Sequence, residues 1–216
     1  MVDESSSMSP WVGYLNDGLR SLLDAMHEQP SKAAKIRLTV LGFSADVRCH
    51  LELQDLRDIH QMPMLGVREG GTSYAAAFSE LIGRIDADVE RLALTNLVHR
   101  PTVFFLTDGQ PAEIDHHVPS WRESLSRLHD PENRRHPNLL AFGVQDARPE
   151  TIAEIASRPD FAYRQSEAAD VGQAISNFMQ FFVQSIVASA TTAEGADSVR
   201  VPSAAPEGFV TIDLVQ

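Results

Sequence analysis

The chain opens with Met1-Val2-Asp3-Glu4-Ser5-Ser6-Ser7-Met8-Ser9, and the interpretation of the whole sequence starts from this stretch. It places one carboxylate and two hydroxyls at alternating positions, Asp3, Ser5 and Ser7, directly before a helical apolar pattern. Three hard oxygen groups from one short loop suit Mg²⁺, which prefers octahedral oxygen coordination. Alone the pattern is weak, because serine-rich segments are often disordered. Its meaning therefore depends on two later stretches of the chain.

Composition limits the partners that the chain can bind. The 216 residues carry a formal net charge of −12, which disfavours a nucleic-acid partner because phosphate binding depends on clustered Lys and Arg. No apolar run reaches the roughly 18 residues that a membrane span needs, and no signal peptide is visible. Cys49 is the single cysteine, which fits a reducing compartment. We therefore expect a cytoplasmic protein that binds neither membrane nor nucleic acid.

Strand-like and helical segments alternate along the chain, which predicts an α/β fold with a doubly wound, mainly parallel sheet flanked by helices and one antiparallel edge strand. The predicted antiparallel strand pairs in a hairpin with the run that ends at Phe43. The run 161–163 reads as a further short edge strand. We expect one domain over residues 1–190, a linker over 191–207 and a strand-like C-terminal segment over 208–216. The predicted strands are 36–43, 47–53, 102–106, 138–144 and 161–163.

Three oxygen-rich segments are expected at the carboxyl edge of this sheet, where parallel α/β proteins bind ligands. Asp3-Ser5-Ser7 is the first. Thr72 follows Gly70-Gly71 and precedes a helix, and Asp108 ends the most apolar strand. Each has a simpler reading: a flexible start, a helix N-cap and an ordinary turn. Four further groups, Glu113, Asp115 and the pair His116-His117, can border the site by their position in the sequence.

The order of these motifs, D-x-S-x-S, then a threonine after glycines, then T-D-G after an apolar strand, resembles the von Willebrand factor A (VWA) domain. The resemblance runs from Asp3 to about Ala190 and implies a VWA, Rossmann-like fold with a metal-ion-dependent adhesion site. The order and spacing look most similar to the bacterial tellurium-resistance-type branch. The match includes Asn16-Asp17-Gly18-Leu19, Gly70-Gly71-Thr72-Ser73 and Leu106-Thr107-Asp108-Gly109-Gln110-Pro111.

The resemblance also implies a role for each residue of the site. Ser5 and Ser7 would bind the metal directly, and Thr72 directly or through water. Asp3 and Asp108 would act mostly through water and orient the hydroxyls. The expected ion is Mg²⁺, with Mn²⁺ or Ca²⁺ as alternatives. A cation held mainly by neutral hydroxyls keeps much of its charge, so it would attract an acidic residue of a protein partner; by family analogy, kinase- or phosphatase-like proteins are candidates.

The start of the chain departs from the family pattern, in which a full apolar strand precedes D-x-S-x-S. Here only Met1 and Val2 precede Asp3, and that strand should be central in the sheet. Three explanations stay open. Further residues precede Met1 in the natural protein, or the sheet is reorganised with the run Phe209–Leu214 covering exposed surface, or the site is not properly formed.

We predict a non-enzymatic, Mg²⁺-dependent protein-binding domain in a bacterial stress or tellurium-resistance-type complex, because the sequence offers no apparent nucleophile, general base or phosphate cradle. The rival from another class is a metal-dependent hydrolase or phosphatase of the haloacid-dehalogenase type. That chemistry requires a second acid two residues after the first, where this chain has Ser5. A third reading is a scaffold with an empty metal site.

Overall fold

A computed structural model describes residues 1–112, 120–133, 135–190 and 199–212. Glu113, Asp115, His116 and His117 lie outside the described residues, as do residues 191–198 and 213–216 of the predicted linker and C-terminal segment. The strands are β1 Val2–Asp3, β2 Arg37–Phe43, β3 Val47–Asp55, β4 Thr102–Thr107, β5 Asn138–Gly143, β6 Ala162–Gln165 and β7 Phe209–Thr211. The helices are α1 Val12–His27, α2 Pro30–Ala33, α3 Tyr74–Ala93, α4 Trp121–Leu128, α5 Pro149–Ile155 and α6 Val171–Ser189.

The strands form one seven-stranded sheet in the order β3-β2-β1-β4-β5-β6-β7. Strands β2, β1, β4, β5 and β6 are parallel to one another, whereas β3 and β7 pair antiparallel with β2 and β6 at the two edges. The predicted mainly parallel α/β fold is confirmed, and β7 adds a second antiparallel edge. Because the chain builds outward from β1 first on one side and then on the other, a crevice forms at the carboxyl end of β1.

The core depends on apolar strands covered on both faces. All residues of β5 are buried, and β4 is buried after its first residue, which is typical of central parallel strands. Helices α1 and α6 pack against each other, and α3 packs against α4. Aromatic rings fill the space beneath α3, where Tyr74 lies edge-on to Phe105 with ring centroids 5.4 Å apart. These packed layers hold the strand ends of the sheet in fixed positions.

The contact between α1 and α6 requires a glycine. A Cβ atom at Gly18 would lie 2.4 Å from the Cβ of Met179 in α6, well inside van der Waals contact. A Cβ at Gly172 would similarly lie 2.6 Å from the ring of Tyr14. The two glycines therefore allow α1 and α6 to approach more closely than larger residues would permit.

The first strand is short yet central. Val2 pairs with Gly42 of β2 and with Leu106 of β4, so β1 lies in the interior of the sheet, third of its seven strands. The explanation that the sheet is reorganised around a missing first strand is therefore wrong. The described part of the run Phe209–Leu214 pairs with β6 at the far edge of the sheet.

The same pairing corrects the prediction that residues 161–163 form an edge strand. Strand β6 is covered on its outer side by β7, with Tyr163 opposite Thr211. Phe209 is buried and its ring lies edge-on to Phe142, with centroids 5.6 Å apart. Burial of the Phe209 ring holds β7 on the sheet. The sequence does not reveal this contact, because Phe209 and Phe142 are far apart along the chain.

We expect Gly18→Ala to destabilise the protein by about 1–3 kcal/mol, because the added methyl group overpacks the α1–α6 contact. Gly13→Ala in the same helix is the matched control, since nothing lies within 4 Å of its Cβ position. The control should be neutral or stabilising by up to about 1 kcal/mol. Chemical denaturation measures both, and equal stabilities of the two variants would contradict the close packing at Gly18.

Candidate metal centre

The candidate site lies at the carboxyl ends of β1 and β4, in the crevice described above. Asp3 ends β1, and Ser5 and Ser7 follow it in a loop that contains the 3-10 turn Ser6–Met8. Asp108 directly follows β4, and Thr72 precedes α3. Asp3, Ser5, Thr72 and Asp108 are buried, whereas Ser7 is exposed at the surface. The site therefore has a closed base and an open mouth.

A chain of hydrogen bonds connects the first loop to the end of β4. The backbone N–H of Ser5 donates to Asp3 Oδ1 over 2.8 Å, which folds the loop back over the carboxylate. The hydroxyls of Ser5 and Ser7 are 3.0 Å apart. The Ser7 hydroxyl in turn donates to Asp108 Oδ1 over 2.9 Å. Residues about one hundred positions apart in sequence thus share one polar cluster.

Thr72 joins this cluster from the side of α3. Its side chain is near enough to the Asp3 carboxylate to oppose the rise in the pKa of that acid, and a Cβ at Gly109 would lie 3.5 Å from Thr72 Oγ1. The reading of Thr72 as the helix N-cap is wrong, because Ser73 takes that role and accepts a hydrogen bond from the Ala76 N–H. Thr72 therefore does not cap α3, and its side chain lies beside the Asp3 carboxylate.

Both carboxylates are in an environment that opposes their negative charge. Burial raises the pKa of Asp3 above its ordinary value, although hydrogen bonds from Thr107 and Ser5 act in the opposite direction. Burial also raises the pKa of Asp108 to about 6, and the neighbouring charge of Asp3 contributes to the same shift. A bound cation would compensate both buried charges.

One oxygen atom of the cluster is left without a partner. Among the described residues, Asp108 Oδ2 is buried and accepts no hydrogen bond. A buried acceptor without a donor is costly, and a bound cation removes that cost by taking the place of the donor. The structure thus brings together all five residues singled out in the sequence, and the orphaned oxygen fits a cation at their centre.

Two residues that the sequence analysis did not assign to the site support its carboxylates. Thr107 Oγ1 donates to Asp3 Oδ2 over 2.7 Å, and the Tyr74 hydroxyl donates to the Gly109 carbonyl over 3.0 Å. Thr107 is fully buried. Thr107 could have been found from the sequence, because it is a polar residue at the end of an apolar run. No sequence feature marks Tyr74 as part of the site.

Glu4 is a further support that the sequence analysis missed. Its buried carboxylate lies 2.7 Å from His50 Nε2 and accepts from Arg68 Nε over 3.2 Å. The backbone N–H of Arg68 donates to the Glu4 carbonyl over 2.7 Å. A Cβ at Gly42 would lie 2.2 Å from this carboxylate, so only glycine fits there. Glu4 thus ties the loop before Thr72 to the end of β1.

Asn16 fixes the same loop from the other side. Its amide donates to the Leu65 carbonyl over 3.1 Å and accepts from the Leu65 N–H over 2.8 Å. This two-way pairing is buried and resembles one step of a strand ladder. The asparagine lies within the Asn16-Asp17-Gly18-Leu19 motif, which marks its position in the sequence but does not indicate this contact.

The ligand set is hard and rich in hydroxyls. It contains two carboxylates and three hydroxyls, and within the described ranges no cluster of three or more His, Cys, Asp or Glu residues is found. Oxygen ligands of this kind suit Mg²⁺, Mn²⁺ or Ca²⁺ better than the softer ions that favour sulfur and imidazole.

The fold and site define a class of α/β domain with a metal-binding crevice at the carboxyl edge of its sheet. The sequence matches the family model of the von Willebrand factor type A domain over residues 1–187. The chain therefore belongs to the von Willebrand factor type A domain family. Among curated proteins, no relative matches the sequence.

Solved structures of low sequence identity share the fold. The pilus adhesin SpaC from Lactobacillus rhamnosus GG superposes with a TM-score of 0.63 at 15% identity, over 86% of this chain and 30% of that chain. Proximal thread matrix protein 1 from the mussel byssus gives a TM-score of 0.58 at 15% identity, over 86% of this chain and 46% of that chain. A structure of the mussel protein with a zinc-occupied MIDAS motif gives 0.50 at 15% identity, over 84% and 44%.

The chain spans less than half the length of these solved chains. In the part of the chain that the structure describes, no helix is long and apolar enough to cross a membrane.

We expect the metal-free protein to lose stability as pH rises through about 6. Asp108 has a folded-state pKa of about 6 against an ordinary 3.8, so the folded state holds its proton more tightly than the unfolded state does. The protonated acid therefore contributes to the free energy of unfolding below about pH 4, and this stabilisation is lost as the pH rises to 6 and above. Asp108→Asn imitates the protonated acid. In EDTA, its Tm should exceed that of the wild type by a few degrees at pH 7.5 and match it at pH 4.

Asp24→Asn is the matched control, because Asp24 is exposed in α1 and is not among the groups that shift the pKa of Asp108. It should leave the Tm unchanged at both pH values. A gap between Asp108→Asn and wild type that does not depend on pH would contradict the role assigned to the buried carboxylate.

Proposed function

We propose that this chain is a non-enzymatic protein-binding domain that acts through a divalent cation, with Mg²⁺ as the expected ion and Mn²⁺ or Ca²⁺ as alternatives. Ser5 and Ser7 would coordinate the ion directly, and Thr72 directly or through water. Asp3 and Asp108 would hold the hydroxyls and the water ligands in place. The ion would supply a Lewis-acidic position at the mouth of the crevice, open to an acidic side chain of a partner.

The observation that carries this proposal is the buried, unpaired Asp108 Oδ2 beside the Ser5 and Ser7 hydroxyls. Five oxygen-bearing side chains from three loops converge there, and within the described ranges no Lys or Arg is among their hydrogen-bond partners. Two desolvated carboxylates with no cationic partner form a site that a metal ion would stabilise.

The exposure of Ser7 supports the open position. It is the one member of the five that is exposed, and it bonds both Ser5 and Asp108. A ligand that approaches from solvent would therefore reach the ion on the Ser7 side. Because the direct ligands would be neutral hydroxyls and the two carboxylates would act through water, the ion would still attract an incoming carboxylate.

The cellular setting follows only from the sequence motifs. The run Asn16-Asp17-Gly18-Leu19 together with Gly70-Gly71-Thr72-Ser73 resembles the tellurium-resistance-type branch. On that basis we place the domain in a bacterial stress-response or tellurium-resistance-type complex in the cytoplasm. A kinase- or phosphatase-like protein that presents an acidic residue is the expected partner. The zinc-occupied site of the mussel protein supports a divalent ion at this position of the fold.

A phosphatase of the haloacid-dehalogenase type fits the site less well. Ser5 stands where its second acid is needed, and the buried Asp3 is held by the Ser5 N–H and the Thr107 hydroxyl. The chain contains only two lysines, Lys32 and Lys35. Both precede β2, at the opposite end of the strands from the crevice, so neither can reach a phosphoryl group there.

We expect Mg²⁺ binding to depend on the buried hydroxyls. Ser5→Ala and Thr72→Ala should each weaken Mg²⁺ affinity about 10-fold or more, measured by isothermal titration calorimetry. Ser6→Ala is the matched control, because Ser6 is an exposed serine of the same loop and forms no side-chain hydrogen bond to the cluster. Equal affinity of all three variants and the wild type would refute the assignment.

Partner binding should require the ion. A partner identified by mass spectrometry after capture in Mg²⁺ should be lost in EDTA and lost with Asp3→Ala. One Asp→Asn or Glu→Gln change on the partner should have the same effect, because its carboxylate would complete the coordination sphere. Capture that is unchanged in EDTA, or hydrolysis of p-nitrophenyl phosphate that Asp3→Ala abolishes, would contradict the proposed function.

A further inference from the structure

A small polar pocket lies at the end of the sheet opposite to the metal site. It has a volume of about 120 Å³ and is lined by Asn138, the first residue of β5. Asn138 pairs with Thr102 at the start of β4, whereas Asp108 follows the other end of that strand. The length of β4, roughly 20 Å, therefore separates the pocket from the metal centre. The polar lining residues are Arg100, His129, His136, Asn138, Ser157 and Arg158.

The side chain of Asn138 lacks a partner. The residue is 5% exposed, and within the described ranges its amide nitrogen Nδ2 is buried and donates no hydrogen bond. Its backbone N–H is fixed by the Pro101 carbonyl at 2.8 Å, so the side chain stays in the pocket wall. A buried donor without an acceptor is costly. An acceptor held in the pocket would remove that cost.

Ser157 offers a second donor to the same acceptor. Its Oγ atom accepts a hydrogen bond from the Leu139 N–H over 3.0 Å, which leaves its own hydrogen for another group. The residue follows α5, whereas Asn138 begins β5, so the two donors come from different elements.

The two histidines also present donors. His129 Nε2 lies 3.0 Å from the Ile155 carbonyl and His136 Nδ1 lies 2.6 Å from the Asn133 carbonyl, so these nitrogens carry the protons. The second nitrogen of each ring becomes a donor when that ring is protonated. Burial lowers the pKa of His129, the hydrogen bond to Ile155 opposes this shift, and the charge of His136 adds to it. An anion between the rings would offset their mutual repulsion.

Arg100 supplies positive charge that no acid neutralises. Among the described residues, no salt bridge involves Arg100, and no acidic residue lines the pocket. Arg158 is held differently, since its Nε donates to Asp160 Oδ1 over 2.9 Å and its guanidinium lies 4.3 Å from the centroid of the Phe161 ring. The free charge of the pocket is therefore that of Arg100, and Arg158 forms a fixed part of the wall.

We propose that this pocket binds a phosphate group, either as the free ion or as a monoester on a larger molecule. Arg100 precedes β4, His129 ends α4, Asn138 begins β5 and Ser157 follows α5, so the donors approach from four elements. The oxygens of a tetrahedral phosphate can meet donors on several sides, whereas a planar carboxylate offers only two oxygens.

Size and charge limit the ligand further. Pockets for drug-sized molecules measure roughly 300–1,000 Å³, so this one holds a small ion or the phosphorylated tip of a larger molecule. The net charge of −12 opposes a long polyanion such as nucleic acid. A single phosphate group meets only the local positive charge of the pocket.

The test titrates the full chain with inorganic phosphate in EDTA at about pH 6.5, where an ordinary histidine is half protonated. NMR follows the side-chain amide of Asn138, assigned by its absence in Asn138→Leu. We expect a saturable shift with a Kd of about 1 mM. Arg100→Gln and Asn138→Leu should each weaken phosphate affinity about 10-fold, with Tm changes as the readout for Asn138→Leu. Without phosphate, Asn138→Leu should not lower the Tm, because it removes an unpaired donor and keeps the volume.

Arg127→Gln is the matched control. Arg127 is an exposed arginine of α4 that does not line the pocket, and its removal changes the net charge by the same amount as Arg100→Gln. This variant should bind phosphate with the affinity of the wild type. N-acetyl-phosphoserine amide is the second ligand: tighter binding than inorganic phosphate would identify a phosphorylated side chain as the source, and weaker binding would identify the free ion.

A response that rises linearly without saturation would overturn the proposal and leave the pocket to ordered water. Equal affinity of Arg100→Gln and Arg127→Gln would overturn it as well, because the attraction would then be diffuse. Acetate that binds as tightly as phosphate would show that the pocket does not select a tetrahedral ion. Since every titration contains EDTA, this proposal and the proposed function can fail independently.

Discussion

The structure depends on the central position of β1. This strand has two residues, yet it pairs on both sides and places Asp3 between the carboxyl ends of β2 and β4. From there the Asp3 carboxylate accepts hydrogen bonds from the Ser5 N–H and the Thr107 hydroxyl. The loop of residues 4–9 is thereby fixed against β4, and Ser7 reaches Asp108. Without this pairing, the hydroxyls would have no common position.

Support for the site comes from layers behind it. Glu4 and Asn16 hold residues 65–68 from two sides, and that loop continues directly into Thr72. Helix α1 can bring Asn16 to this place because Gly18 lets it pack closely on α6. A change in the packing of α1 on α6 would therefore move Asn16 and, with it, the loop that leads to Thr72. The candidate metal centre is thus positioned by residues and helices that provide no metal ligand themselves.

Much of the fold could be predicted from the sequence because its signals are local. The apolar run at β4 and the hairpin of β2 and β3 follow from strand patterns within a few residues, and the site motifs follow from their order along the chain. The contacts of Glu4 with His50 and Arg68 could not be predicted, because they join positions that only the fold brings together. The pairing of β7 with β6 was missed for the same reason.

The most direct measurement is anomalous diffraction from crystals of this chain grown with Mn²⁺, which can replace Mg²⁺ at oxygen sites. We expect one strong anomalous peak within bonding distance of Ser5 Oγ and Ser7 Oγ, with Thr72, Asp3 and Asp108 around it. A peak bound elsewhere, or a fully formed cluster that stays free of metal at saturating Mn²⁺, would contradict a cation-centred site.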